Sequence, residues 1–263
     1  MYEFTYHQAA SLEDAAKLLG NEEAKLVAGG MTLIPTLKQR LAKPSDLIDL
    51  ASVSGLKGIT EEGGGVRIGA MTRHVEVNRS DVVKRVIPAL AALAGMIGDP
   101  AVRNRGTIGG SISNNDPAAD YPSAVVGLGA TVVTTKREIA GDNFFTGLFE
   151  TALGPDEIVT AVKFPKPETA AYQKFKNPAS RYAIVGVFVA KTAGGVRVAV
   201  TGAGPCVFRV PEMEAALGKS FSPDAIKDIA IPDDGLNSDI HASAEYRAHL
   251  VNVMARRAVA ACA

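Results

Sequence analysis

Tryptophan is absent from the sequence, and all aromatic residues together make up only 6% of it. The two cysteines, Cys206 and Cys262, stand far apart. An iron–sulfur cluster takes four ligands, most often thiolates, and a zinc site built on paired CxxC needs more than two. Neither is expected here. The four histidines (His7, His74, His241 and His249) lack HExxH or any comparable ligand spacing, so no metal of the chain's own is expected. An excess of one charge is also missing: 28 Lys and Arg balance 28 Asp and Glu. Nucleic acids and anionic membranes select basic patches, and no Lys/Arg block supplies one. The longest apolar run, Ala183–Ala190, falls well short of the roughly 20 residues that cross a bilayer. The opening MYEFTYHQAASLEDAAKLL has no basic segment, no apolar core and early acids, unlike a secretory signal. A cytoplasmic protein without a membrane span is expected.

What is present is an ordinary globular composition, 47% hydrophobic over 263 residues, enough for one large domain or two to three small ones. Ser11 with Asp14 resembles a capping box, and Leu12, Ala15, Ala16 and Leu19 recur at helical spacing. A strand over Leu26–Ala28 runs into Gly29–Gly30. A helical face (Leu33, Ile34, Leu37, Leu41) comes next, with Thr32 as its cap, and then a strand over Asp46–Leu50. Beyond Leu56 the pattern predicts a strand at Val66–Ala70 and a helix at Val82–Met96 interrupted by Pro88. A glycine-broken strand at Thr107–Ser113 and a helix at Tyr121–Leu128 come after it, then strands at Thr131–Thr135 and Ile158–Phe164. Pro165 and Pro167 mark a boundary. The remainder opens with strands at Tyr172–Phe175, Ala183–Lys191 and Val196–Thr201. Helical segments at Pro211–Leu217 and Pro223–Ile229 come next. A final helix from Ser243 sets Tyr246, Leu250, Val253 and Ala261 on one face.

Two glycine turns carry the chemistry. In Val27-Ala28-Gly29-Gly30-Met31-Thr32-Leu33-Ile34 a strand ends, two glycines remove Cβ atoms, and a helix begins. Such a turn brings backbone N–H groups close to an anion at a helix N-terminus. In Arg105-Gly106-Thr107-Ile108-Gly109-Gly110-Ser111, followed by Ile112–Asp120, three glycines sit among hydroxyls, amides and acids. That is poor material for a core strand and good material for backbone lying against a large polar ligand. Asp120 could accept from sugar hydroxyls. A tight turn and an irregular surface loop are the bland alternatives. No GxGxxG dinucleotide fingerprint occurs, since Gly202-x-Gly204 meets Val207 where a third glycine is needed,.

AGGMTLIPTLK together with GTIGGSISNNDPAADYP resembles the FAD-binding medium subunit of the molybdenum hydroxylases, the xanthine dehydrogenase and carbon monoxide dehydrogenase family. The likeness extends through DLIDL, VRIGAMT, DEIVTAVKFP and YRAHLVNVMARRA. It implies an α+β fold: a two-subdomain, PCMH-type (vanillyl-alcohol-oxidase-like) FAD-binding domain over 1–165, with subdomains of about 1–55 and 56–165. A smaller α+β C-terminal domain of antiparallel strands and helices, like that of the CO dehydrogenase flavoprotein, occupies 166–263. The resemblance also implies that Val27, Ala28, Gly29, Gly30, Met31, Thr32, Leu33 and Ile34 wrap the pyrophosphate. Thr107, Gly109, Gly110, Ser111 and Asn114 would line the other side of the dinucleotide, and Asp120 would hold a hydroxyl of its sugar chain. Ile97 and Ile158 would border the flavin ring. Lys176 would stand near the N1–O2 edge, a role that Lys174 or Arg181 could fill instead, because KNPASRYA departs from the family's wording.

The same resemblance implies a non-covalently bound FAD on a chain that passes electrons to NAD, oxygen or a quinone-type acceptor. Iron–sulfur clusters would lie on a small partner subunit and the molybdopterin cofactor on a large one, assembled as a dimer of heterotrimers. The scarcity of cysteine fits that division. Aldehydes, purines, N-heterocycles and carbon monoxide are all compatible substrates of such a complex. A stand-alone reductase of the UDP-N-acetylmuramate reductase type is the second possibility, although no acid/base constellation stands out for it. A cofactor-free scaffold is the third. The C-terminal part, without chemistry of its own, is expected to form part of the docking surface. His74 is expected at the surface or as a cap, Cys206 as a small buried hydrophobe, and Cys262 as a frayed end.

Overall fold

Ser11 accepts from the backbone N–H of Asp14 at 3.2 Å and starts the first helix of a computed structural model that describes residues 1–262. The opening unit runs β1 (Thr5–Gln8), α1 (Leu12–Leu19), β2 (Lys25–Val27), α2 (Leu33–Lys38) and β3 (Asp46–Asp49). Its three strands pair in parallel, in the order β1-β3-β2. Parallel neighbours need helical crossovers, which α1 and α2 supply.

The second unit holds β4 (Ile59–Glu62), β5 (Gly65–Gly69), α3 (His74–Arg79), α4 (Asp81–Val86), α5 (Pro88–Gly95), α6 (Pro100–Arg105), α7 (Ile108–Asn114) and α8 (Tyr121–Gly127). It continues with β6 (Thr131–Thr134), β7 (Glu138–Ala140), α9 (Gly141–Phe144), β8 (Phe145–Gly147), β9 (Glu150–Thr151) and β10 (Val159–Phe164). Five strands form an antiparallel sheet in the order β4-β5-β10-β6-β7, and β8 pairs with β9 as a separate hairpin. The apolar run at 82–96 becomes two helices, because Pro88 cannot continue α4 and instead takes the first position of α5,.

Thr107–Ser113, expected as a strand, is helical. The Thr107 hydroxyl caps α7 by accepting from Gly110 N–H at 3.2 Å. Ile108 and Ile112, one turn apart, are both fully buried,. Their β-branching favours a strand, but the cap and the burial spacing decide against that weak preference. Glycine serves packing here: a Cβ on Gly109 would lie 2.6 Å from Ala70 Cβ and 2.8 Å from its carbonyl oxygen.

The third unit is an antiparallel sheet of β11 (Thr169–Lys176), β12 (Ala183–Thr192), β13 (Gly195–Thr201) and β14 (Phe208–Arg209), backed by α10 (Pro211–Lys219) and α11 (Ala244–Ala261). Pro223–Ile226 forms a short 3-10 turn. The buried face of α11 is Arg247, Val251, Met254 and Ala258, with Leu250 beside it; Tyr246 and Ala261, expected inward, point out. Arg247 is buried with its two terminal amino groups donating to the Ile184 and Gly202 carbonyls and to Asp239, while its Nε has no partner among the described residues,. Cys262 is not frayed: it caps α11, packs on this unit's core and accepts from Thr169 Oγ1 at 2.7 Å through its carbonyl. Tyr172, Phe188 and Ala190 of the third unit share one core with α5 and α8 of the second.

Candidate functional site

The two glycine turns meet. A Cβ on Gly29 would fall 2.2 Å from the Arg105 carbonyl oxygen and 2.7 Å from Gly106 Cα, so the turns lie backbone against backbone. They form one wall of a cleft of about 1220 Å³ that is also lined by Ile97, Ile158 and the loop before β12. Pockets for drug-sized molecules are usually about 300–1,000 Å³, so this volume suits a long ligand.

The turns differ in what they offer. At the second, the N–H groups of Ile108, Gly109 and Gly110 are already taken by Thr72 O, Ala70 O and Thr107 Oγ1. Ser111 and Asn114 face the cleft there. At the first, no protein acceptor within the described residues receives the N–H groups of Ala28, Gly29, Gly30, Met31, Thr32 or Leu33. Gly30 sits at φ 71°, a left-handed conformation that bends this run around,. Six consecutive free donors at a strand-to-helix turn form an anion cradle.

Of the residues assigned from the sequence, Val27–Leu33, Ile97, Thr107, Gly109, Gly110, Ser111, Asn114, Asp120 and Ile158 all line the cleft. Ile34 does not; it lies behind the turn, its Cγ1 2.9 Å from where a Gly30 Cβ would be. Lys176 is exposed at the end of β11 and outside the cleft wall. Lys174, two residues earlier, does not line the cleft either but sits behind its wall, paired with a residue that does: its Nζ lies 2.9 Å from Asp120 Oδ1, with side chains only 2% and 4% exposed. Tyr172 donates its hydroxyl to the same carboxylate at 2.5 Å. Burial pushes the Asp120 carboxyl up, against the opposing pull of Lys174 and Tyr172. A carboxylate has about four acceptor positions, so Asp120 keeps capacity for a hydroxyl. Arg181, at φ 64°, and Tyr182 border the cleft from the same loop.

His74, expected at the surface or as a cap, is instead buried. It is 4% exposed, lines the cleft, and receives the second turn: its N–H donates to Gly106 O at 3.0 Å. A Cβ on Gly106 would meet its Nε2 at 2.5 Å. The ring leans on Tyr121, and Nδ1 has no partner among the described residues. Burial, with Arg103 adding repulsion, lowers its pKa to about 4, so it is neutral at pH 7. MTRHVEV gives no signal of this, because α3 is too short for its periodicity to show a buried face. Asp116, with its carboxyl pushed up by burial, and Phe149 also line the cleft.

Comparison with known proteins decides the family. Residues 2–167 match the FAD binding domain in molybdopterin dehydrogenase, and residues 170–262 match the CO dehydrogenase flavoprotein C-terminal domain. The chain belongs to this family. The nicotine 6-hydroxylase medium subunit of Paenarthrobacter nicotinovorans is 38% identical over 97% of this chain and 95% of that one. The carbon monoxide dehydrogenase medium chain of Hydrogenophaga pseudoflava is 35% identical over 97% and 96%. The structure of carbon monoxide dehydrogenase from Hydrogenophaga pseudoflava lacking the Mo-pyranopterin moiety superposes with a TM-score of 0.90 at 36% identity, covering 99% of this chain and 97% of that one. The α+β architecture of a molybdopterin dehydrogenase flavoprotein is therefore established, and the residues present fit FAD. The free N–H run suits its diphosphate, and the glycines let the two turns pack backbone against backbone to form the wall that the ligand would face.

Proposed function

We propose that this chain is the FAD-bearing electron-transfer subunit of a heteromeric molybdenum hydroxylase. The observation that carries this reading is the row of six N–H groups from Ala28 to Leu33 without a protein acceptor, in residues that line a cleft of about 1220 Å³. FAD, when bound, supplies two-electron acceptance and stepwise release. The chain's own residues bind and orient it. Ala28–Leu33 hold the diphosphate; Ser111, Asn114 and Asp120 engage hydroxyls; Ile97 and Ile158 flank the ring. Lys174 would act through Asp120, holding that carboxylate in the cleft wall, rather than by meeting the flavin itself. Lys176 is exposed and outside the cleft wall.

Substrate oxidation belongs to a partner. Among the described residues no group of three or more His, Cys, Asp or Glu is placed to hold a metal, and the relatives are named as medium subunits or chains. Iron–sulfur and molybdopterin-bearing partners, a dimer of heterotrimers, a cytoplasmic location and an acceptor such as NAD, oxygen or a quinone complete the proposal. No helix among the described residues is long and apolar enough to cross a membrane. A stand-alone reductase is disfavoured, because the full length matches medium subunits. The decisive experiment is release of the flavin from purified chain or complex by denaturation, with chromatography of the product. FAD is expected. FMN alone, or a colourless preparation that cannot be reconstituted, would overturn the reading.

A further inference from the structure

The β8–β9 hairpin turns through Leu148 and Phe149, both large apolar residues more than half exposed, at 55% and 57%. Phe149 sits at φ 56°, a conformation that turns normally give to Gly or Asn. A strained bulky residue persists only where its surroundings fix it, and here they do. The buried Asn115 amide donates to Gly147 O at 2.8 Å and to Glu150 O at 2.7 Å, one on each strand. Asn115 is itself left-handed, at φ 42°, and caps the end of α7, the helix that begins at the second glycine turn. The hairpin tip is thus tied to the helix that the second glycine turn starts. The two tip residues part company there: Phe149 lines the cleft and Leu148 does not. The lining after the hairpin carries the apolar Leu153, Pro155, Ile158 and Val159, with Asp156 and Glu157 among them, while the free N–H groups belong to the first glycine turn.

We propose that Phe149 is a flavin-contacting residue, its ring held by the strained hairpin tip against the isoalloxazine end of the bound FAD. The inference rests on the flavin reading and assigns a contact to a residue that no glycine motif contains. Strain and exposure are both costs to the chain alone, and a planar apolar ligand surface offsets the exposure.

The absence of tryptophan makes the test direct. In Phe149→Trp, the single indole in the protein should add a long-wavelength charge-transfer shoulder to the bound-flavin spectrum, a band that needs ring contact. Leu148→Trp, one residue away, should add none. Phe149→Gly should weaken FAD binding about tenfold, the loss expected for uncovering one aromatic contact. It should hold or raise the melting temperature of the flavin-free chain, because glycine accepts positive φ without strain. A Phe149→Trp spectrum like wild type, or a Phe149→Gly chain that melts lower yet binds FAD as before, would overturn the assignment. A wild-type chain that takes up no FAD would overturn it together with the proposed function, so the two failures are distinguishable.

Discussion

His74 ties a side chain's ionisation to the shape of the site. Its pKa falls from 6.5 to about 4 on folding because the ring is buried beneath Gly106. A base whose folded pKa is depressed binds its proton more readily when unfolded, so the unfolded state gains protons first as pH falls. Stability is therefore intact above about 6.5 and declines from there to about 4, by roughly 3 kcal/mol for a displacement of this size. His74→Phe keeps the volume and removes the titration. Denaturant melts at several pH values should show the wild type losing stability through that window and the variant losing distinctly less. Parallel slopes in the two proteins would mean that His74 does not titrate against folding. Glu157 loses its contribution in a more acid window, because its pairing with Arg137 lowers its pKa to about 2.

At the scale of elements, the site depends on how closely two turns are pressed together. Gly29→Ala puts a methyl group 2.2 Å from the Arg105 carbonyl, an overlap that only backbone movement relieves. Overpacking of this kind costs about 1–3 kcal/mol, and here the movement separates the two sides of the cleft. Flavin content of the purified Gly29→Ala chain should drop to near background. Gly218→Ala, in α10 with nothing near its added carbon, should keep wild-type content, and comparable losses in both would dissociate the effect from the turn contact. Much of this region is legible in the sequence: the strand-turn-helix at Gly29–Gly30, the caps at Ser11 and Ser243, and the β11–β13 meander all reflect local pattern. The parts that stay hidden have no local signature. α3 and α6 span fewer than two turns, so periodicity has nothing to count. α7 is hidden because isoleucines and a threonine speak for strand until the capping bond is seen. Phe149 and His74 reach the cleft only through contacts more than thirty residues distant in sequence, Asn115 to Gly147 and His74 to Gly106.

Across the whole molecule, the third unit closes the seat of the site. Tyr172 and Phe188 complete the core over α5 and α8, Lys174 and Tyr172 neutralise and bond Asp120, and Thr201 Oγ1 donates to the Pro117 and Ala119 carbonyls. The sequence assigns the C-terminal part a share of the docking surface and one lysine beside the flavin; the packing adds residues 179–182 to the cleft wall and both partners of Asp120. Ending the chain after Pro167 strips Asp120 of both partners, and an uncompensated buried charge costs about 3–5 kcal/mol, with apolar surface exposed in addition. The truncated chain should be insoluble or flavin-free, as judged by soluble yield and visible absorbance. A soluble yellow fragment would show that residues 1–167 are self-sufficient. The same seam bears on the order of events during synthesis. The N–H cradle is translated within the first few dozen residues, yet Asp120 receives its lysine only after β11 has left the ribosome and paired with β12. A nascent chain halted before that point is expected to hold no cofactor, so incomplete products would not draw down the cell's free FAD.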